Sequence, residues 1–307
     1  MSEVAHLWLI DRKPTVTVFA NFFIDNEERF LRLKDSFLSF KDIVPDQWVM
    51  CVRGRYKQEV ADYLKSNIVA GLDIRFAEDQ SNWFKTSRKM ARLITSDLVF
   101  FWIEDHICVA GHCEFAKVLA EFHYRRADVM VYSWHAQVKR GLQAEVSCDP
   151  GDHVDICTFN ESRIRDVVGV RGDFYPFSAV SVMRTSFFKT ILGSHKPYMK
   201  RWPAYTPFDF EKKASDRVIS SFIYAFPKLE IFAAIDDDHD VDGYSLIARG
   251  LYPNRLSRNQ MLVADGRSSD RKKFRLFSHL KFIKPIIAPV YALARRVGYT
   301  ANYYFSD

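Results

Sequence analysis

The feature that most constrains this chain is an alternation of two hydrophobic periods through its first 110 residues. Short runs rich in β-branched and aromatic residues fall at Thr15–Ala20, Trp48–Val52, Leu72–Phe76 and Leu98–Ile103. Between them, Asp25 to Lys41, Tyr56 to Ser66 and Phe84 to Thr95 carry apolar residues at helical spacing. A strand period that repeatedly gives way to a helix period predicts successive β–α units. Such units bury their apolar faces as a mostly parallel sheet flanked by helices, which defines an α/β fold. Beyond Asp105 the rhythm loosens. Helices are expected over Cys113–Arg126, Ser186–Leu192 and Asp216–Ala225, and strands over Val129–Ser133, Ser178–Met183 and Glu230–Ile235. A polar, Gly-containing region follows to about Asp173, and the segment Gly243–Asp270 reads as loop or mobile segment.

Charge divides the chain more sharply than hydropathy does. The net charge of the 307 residues is +6, yet residues 271–307 alone carry +7 and the remainder −1. A near-neutral body with a basic tail argues against a protein that coats nucleic acid, because the cations do not spread over a folded surface. The five cysteines form no CxxC pair, and the first residues lack the basic and apolar segments of a signal peptide. A reducing, cytoplasmic setting is therefore expected. No run of 18 apolar residues offers a membrane-spanning helix.

The motif with most chemical content ends the fourth strand: Phe101-Trp102-Ile103-Glu104-Asp105-His106. Ligands of open parallel sheets bind at the carboxyl ends of strands, so acids emerging there face the site. Two hard carboxylates can hold a divalent ion, and the ion can bridge a diphosphate. A second acidic run, Asp236-Asp237-Asp238-His239-Asp240-Val241-Asp242, calls for a cation or basic group nearby. Each run also fits a solvated acidic turn. Gly-x-Gly-x-x-Gly, phosphate-loop, nucleophile-elbow and zinc-type spacings are absent.

With these residues in place the chain resembles the GT-A-fold glycosyltransferases, the family 2-like enzymes in particular. The resemblance covers about residues 14–240 and implies a GT-A-like (Rossmann-like) sheet, a nucleotide-sugar donor and inverting transfer to an acceptor hydroxyl. It places Glu104 and Asp105 against the metal and the donor phosphates, in a departure from the strict Asp-x-Asp form. It places Ala20 and Asn21 at the nucleobase pocket and Asp79 against the base. Lys85 and Arg88 would then offset diphosphate charge. Tyr175–Val182 matches the strand lining the cleft, and Thr206–Lys212 the segment that supplies the catalytic base. Glu211 is favoured slightly over Asp209 for that base, and either also fits a helix N-terminus. His239 would join Asp105 on a divalent cation, Mn²⁺ or Mg²⁺.

The expected domain organisation is a transferase domain over 1–265, with a nucleotide-binding half to about residue 110, and a tail over 266–307. In the tail, Lys272, Lys273, Arg275, Lys281, Lys284, Arg295 and Arg296 interleave with apolar residues, while Pro285 and Pro289 interrupt any single helix. Two basic amphipathic helices lying on an anionic membrane, at the inner face of the cell membrane, suit that pattern. Helices packed on the body are the rival reading. A lipid-linked or glycan acceptor of surface polysaccharide synthesis would lie at that membrane. The other readings of the whole chain are a nucleotidyltransferase, which usually has a Gly-rich loop after its first strand, and a non-enzymatic membrane adaptor.

Overall fold

In the computed structural model, residues 13–43, 45–79, 81–133, 147–171, 180–193, 221–236 and 244–253 are described. The alternation read in the sequence becomes β1 (Val16–Phe23), α1 (Glu27–Phe40), β2 (Gln47–Arg53), α2 (Lys57–Asn67), β3 (Leu72–Phe76), α3 (Trp83–Met90) and β4 (Leu98–Phe101). Then follow β5 (His106–Cys108), α4 (His112–Tyr124), β6 (Val129–Val131), β7 (Val154–Asn160), α5 (Glu161–Arg171), β8 (Ser181–Arg184), α6 (Thr185–Gly193), β9 (Ser221–Pro227) and β10 (Phe232–Ala234). An eight-stranded sheet runs in the order β3-β2-β1-β4-β8-β6-β9-β7. Strands β3, β2, β1 and β4 are mutually parallel; β8 and β7 run against their neighbours, and β6 and β9 pair in parallel. The expected α/β class, a mostly parallel sheet with flanking helices, is what forms.

Strand β4 shows why both faces must be covered. Alternate side chains of a strand point to opposite faces. Phe100 packs on Phe40 of α1, Phe115 of α4, Tyr132 and Phe232. Its neighbour Phe101 packs on Phe19, Trp83 of α3 and Phe188 of α6. Helices α1 and α4 therefore cover one face, and α3 and α6 the other. This agrees with right-handed crossovers: the chain steps outward from β1 to β3 on one face and returns to β4 across the other.

Three readings are corrected. Asp216–Ala225, expected as a helix, instead enters β9 at Ser221, where buried Phe222, Tyr224 and Phe226 alternate with their neighbours in a strand held between β6 and β7. The polar region up to about Asp173, read without elements, contains β7 and α5; β7 hides because Asp155, Thr158 and Asn160 interrupt its buried Val154, Cys157 and Phe159. The strand expected at Glu230–Ile235 shortens to β10 and leaves the main sheet, pairing antiparallel with β5. Residues 254–307, including the tail and the proposed domain boundary, lie outside the described residues.

Because Phe100 is fully buried among four aromatic partners, Phe100→Ala should lower unfolding free energy by about 3–5 kcal/mol in urea denaturation. Leu38→Ala, on the exposed side of α1, should stay within about 0.5 kcal/mol. Equal losses from both would contradict this placement of the core.

Candidate active site

The chain changes direction across the sheet at β1, whose neighbours are β2 on one side and β4 on the other. Such a switch point opens a crevice at the carboxyl ends of the strands. The ends of β1, β2 and β3 are tied together there. Ile24 N–H donates to the Arg53 carbonyl (2.9 Å) and Tyr56 N–H to the Ile24 carbonyl (3.0 Å). Gly54 adopts φ +96°, and a Cβ at that position would lie 2.3 Å from the Ile24 oxygen, so the crossing needs glycine. The Gly54 N–H donates to Asp79 Oδ1 at 2.9 Å. Asp79 thus reaches the expected strand edge, with one oxygen closing the loop after β2.

On the same edge, Ala20 is fully buried, and Asn21 Nδ2 donates to Ser87 Oγ (2.8 Å) and to the Trp83 carbonyl (3.3 Å). Among the described residues the buried Asn21 Oδ1 has no hydrogen-bond partner. An acceptor left in that state is costly unless a ligand or water meets it. Arg53, which sequence reasoning did not select, is buried at the end of β2 and donates through Nη1 to the Ser81 carbonyl (3.2 Å). Burial pulls its pKa below the usual arginine value, and Cys51 and Asp79 act against that fall. Lys85 projects from α3 into solvent, while Arg88 uses Nε on the Leu192 carbonyl (3.1 Å), fastening α3 to α6.

The acidic side of the crevice is built on α1. Asn26 caps this helix by accepting from Arg29 N–H (2.9 Å), with Glu27 and Glu28 in the first turn, where the helix dipole favours anions. Arg29 Nη1 donates to the Phe23 carbonyl (3.1 Å), joining the helix start to the end of β1. Glu28, Arg32, Ser36 and Ser39 then lie along one side at helical spacing. Arg32 is 1% exposed; its Nε donates to Glu28 Oε1 (2.9 Å) and its Nη1 to Asp236 Oδ2 (2.6 Å). Burial opposes its charge, but Asp236 and Glu28 hold its pKa above the usual value. Ser36 Oγ donates to the His106 carbonyl and accepts from Trp102 Nε1 (2.9 Å), and Cys108 N–H donates to Ser39 Oγ (2.8 Å). This polar stripe seats the β5–β10 pair on the helix.

That pair brings the two acidic runs of the sequence together. Ala234 stands opposite His106, and Ile235 N–H donates to the Asp105 carbonyl at 2.7 Å, so Asp236 begins the second run beside Glu104 and Asp105. His106 turns away from the crevice: Nδ1 meets Asp105 Oδ1 at 2.6 Å and Nε2 meets Ser133 Oγ at 3.1 Å. With the carboxylate as acceptor, Nδ1 carries the proton and Nε2 accepts from the serine hydroxyl. This Ser–His–Asp series is not a nucleophile, since Ser133 is 1% exposed. Its effect is to fix the Asp105 carboxylate from behind. Glu104 is partly buried; burial and the adjacent Asp105 push its carboxyl above the usual range, against Arg29 and Arg32. Tyr132, whose hydroxyl donates to the Phe101 carbonyl (2.7 Å), is likewise pushed up by burial and Asp105.

The site thus joins a hydrogen-bonding wall at β1–β3 to an anionic wall at β4, β5 and β10, with Arg29 and Arg32 behind the acids. Among the described residues no three His, Cys, Asp or Glu converge to hold a metal ion. Asp209, Glu211, His239 and the seven basic tail residues lie outside the described residues. Sequence reasoning missed Arg32, Ser36 and Ser133. The i,i+4 spacing of Glu28, Arg32 and Ser36 was the available signal for the first two.

No family model matches the sequence, and no curated protein matches it. Among solved structures, S. aureus TarS superposes with a TM-score of 0.45 at 13% identity, covering 72% of this chain and 36% of that one. S. aureus TarS 1-349 in complex with UDP-GlcNAc gives 0.44 at 14% identity, with 72% and 58% covered. The same protein in complex with UDP gives 0.43 at 11%, with 72% and 60% covered. The present chain spans well under the full length of each.

Because the Glu104 carboxyl sits above its unfolded value, its stabilising contribution is full below the unfolded pKa and is lost as pH rises through the folded one. Glu104→Gln should therefore raise unfolding free energy at pH about 7, and the gain should vanish near pH about 4, where the unfolded acid is also protonated. Urea titrations at the two pH values measure this. A gain of equal size at both would remove the charge of Glu104 as its cause.

Proposed function

We propose that the chain is a glycosyltransferase that moves a sugar from a nucleotide-sugar donor to an acceptor hydroxyl. The observation that carries this reading is the meeting of Glu104 and Asp105 with the start of the second acidic run, at the carboxyl ends of a parallel sheet. Acids gathered at a switch point suit a diphosphate bound through a cation, and the base-binding wall would lie on the adjoining strands. In this reading Asn21, with its open buried acceptor, and Asp79 line the nucleobase pocket. Lys85 would offset donor phosphate charge, and Arg88 braces the helix that carries it.

A divalent cation, Mn²⁺ or Mg²⁺, would be held by Asp105 together with His239 from the run that begins at Asp236, and it would supply charge neutralisation for the departing diphosphate. Asp105 is suited to that task because His106 engages one oxygen and fixes the plane of the carboxylate. Glu211, or Asp209, would accept the proton of the acceptor hydroxyl as that oxygen attacks the anomeric carbon from the face opposite the leaving group. Inversion follows from a single displacement. The family 2-like assignment, a surface-glycan acceptor and a peripheral position on the inner face of the cell membrane belong to the same proposal. The nucleotidyltransferase reading is weaker, since the turn after β1, Ile24-Asp25-Asn26, has no glycine.

Isothermal titration with UDP-, GDP- and dTDP-sugars, with and without Mn²⁺ or Mg²⁺, should reveal binding of one donor. Asp105→Asn should abolish transfer with the fold retained by circular dichroism. Glu211→Gln should lower the maximal rate while donor affinity holds, and the same pattern in Asp209→Asn alone would move the base two residues upstream. Failure of every donor to bind would end the proposal. For the tail, the intact protein should pellet with anionic vesicles at low salt and be released as salt screens its cations. Removal of 271–307 should abolish pelleting, and intact protein left in the supernatant would make the tail a packing element.

A further inference from the structure

Away from the crevice, two of the five cysteines face one another across an antiparallel bridge. Asp149 and Ile156 exchange both backbone hydrogen bonds, at 2.7 and 2.9 Å. The next positions outward, Cys148 and Cys157, are therefore a directly opposed pair without backbone hydrogen bonds. Such pairs have Cα atoms about 4.5 Å apart and Cβ atoms on the same face. That separation falls within the span of about 4.4–6.8 Å that a disulfide bridges.

The surroundings give the two sulfurs different tasks. Cys148 is half-buried and open to a small reagent, whereas Cys157 is 1% exposed. Burial pushes the Cys157 thiol up, and Arg163, whose Nη1 lies 3.1 Å from Cys157 Sγ, works against that rise. The turn between them is held on α4: Glu121 accepts from the N–H groups of Asp152, His153 and Val154, and Arg125 grips Asp149 and Pro150. The pair is thus presented in register, with little freedom to separate.

We propose that Cys148 and Cys157 form an oxidation site that closes to an intramolecular disulfide, with a low-molecular-weight disulfide as the oxidant. The Cys148 thiolate attacks one sulfur of glutathione disulfide, giving a mixed disulfide and releasing one glutathione thiolate. The Cys157 thiolate, beside Arg163, then attacks the Cys148 sulfur and expels the second glutathione. Two protein thiols are oxidised, one glutathione disulfide is reduced to two glutathione molecules, and the two protons pass to the expelled thiolates. Burial pushes the Cys148 thiol up to about 11, so the first step quickens as pH rises.

The test uses the reduced full chain, incubated with glutathione disulfide at pH about 8, alkylated and mapped by mass spectrometry without reduction. The expected product is a peptide linked through Cys148 and Cys157, both thiols disappearing together, while exposed Cys113 gains only a glutathione adduct. Cys157→Ser should stop Cys148 at the adduct. Arg163→Gln should slow closure about threefold, because lost thiolate is partly offset by greater nucleophilicity. Adducts on Cys113 with Cys148 and Cys157 still reduced, or Cys148 adducts that never resolve in the wild type, would overturn the proposal without bearing on sugar transfer.

Discussion

The guanidinium of Arg32, enclosed between Glu28 and Asp236, is the interaction on which the site depends. A charge that deep is tolerated only when paired and hydrogen-bonded, and removing one partner of such a group typically costs about 3–5 kcal/mol. Its three members come from the first turns of α1 and the residues just after β10, more than 200 residues apart in sequence. The cluster therefore decides where β10 ends. Once β10 is placed, β5 pairs with it, and Ser36 and Ser39 receive β5 on the same side of the helix. The acids after β4 meet Asp236 through that pairing and the bond from Ile235 N–H to the Asp105 carbonyl.

The crevice has two walls of different physical character. At β1, β2 and β3, hydrogen bonds and one glycine crossing set the positions of atoms, with Arg53 and Asp79 among the charged groups at the strand ends. At β4, β5 and β10, like charges are crowded together and the cost shows in Glu104, whose carboxyl is driven upward by burial and by Asp105. A ligand with an uncharged, hydrogen-bonding ring at one end and a cation-bridged polyanion at the other would match both walls. The donor proposed above has that form.

The parallel half of the sheet was legible because its strands are short, apolar and separated by helical periods, and Phe100, Phe101 and Trp102 are buried as their run suggests. Strand β9 was misread because Val218, Ile219, Phe222 and Ile223 also satisfy a helical period. Contacts with β6 and β7, distant in sequence, decide for the strand. Local pattern cannot supply that vote. Asp105 was legible from its place after a strand, and the second acidic run from its density of charge. Their adjacency was not, since it rests on the three-residue pairing of β5 with β10. Arg32 escaped because a polar stripe on an amphipathic helix normally faces solvent.

The tie among the ends of β1, β2 and β3 has a consequence for affinity. Ile24, Arg53, Gly54, Tyr56 and Asp79 join three separate loops through backbone hydrogen bonds and one carboxylate. A molecule entering at this edge meets a surface whose conformational entropy has already been surrendered during folding. Association then bears the loss of the ligand's own freedom but little for ordering the protein, which leaves more of each contact's energy as binding.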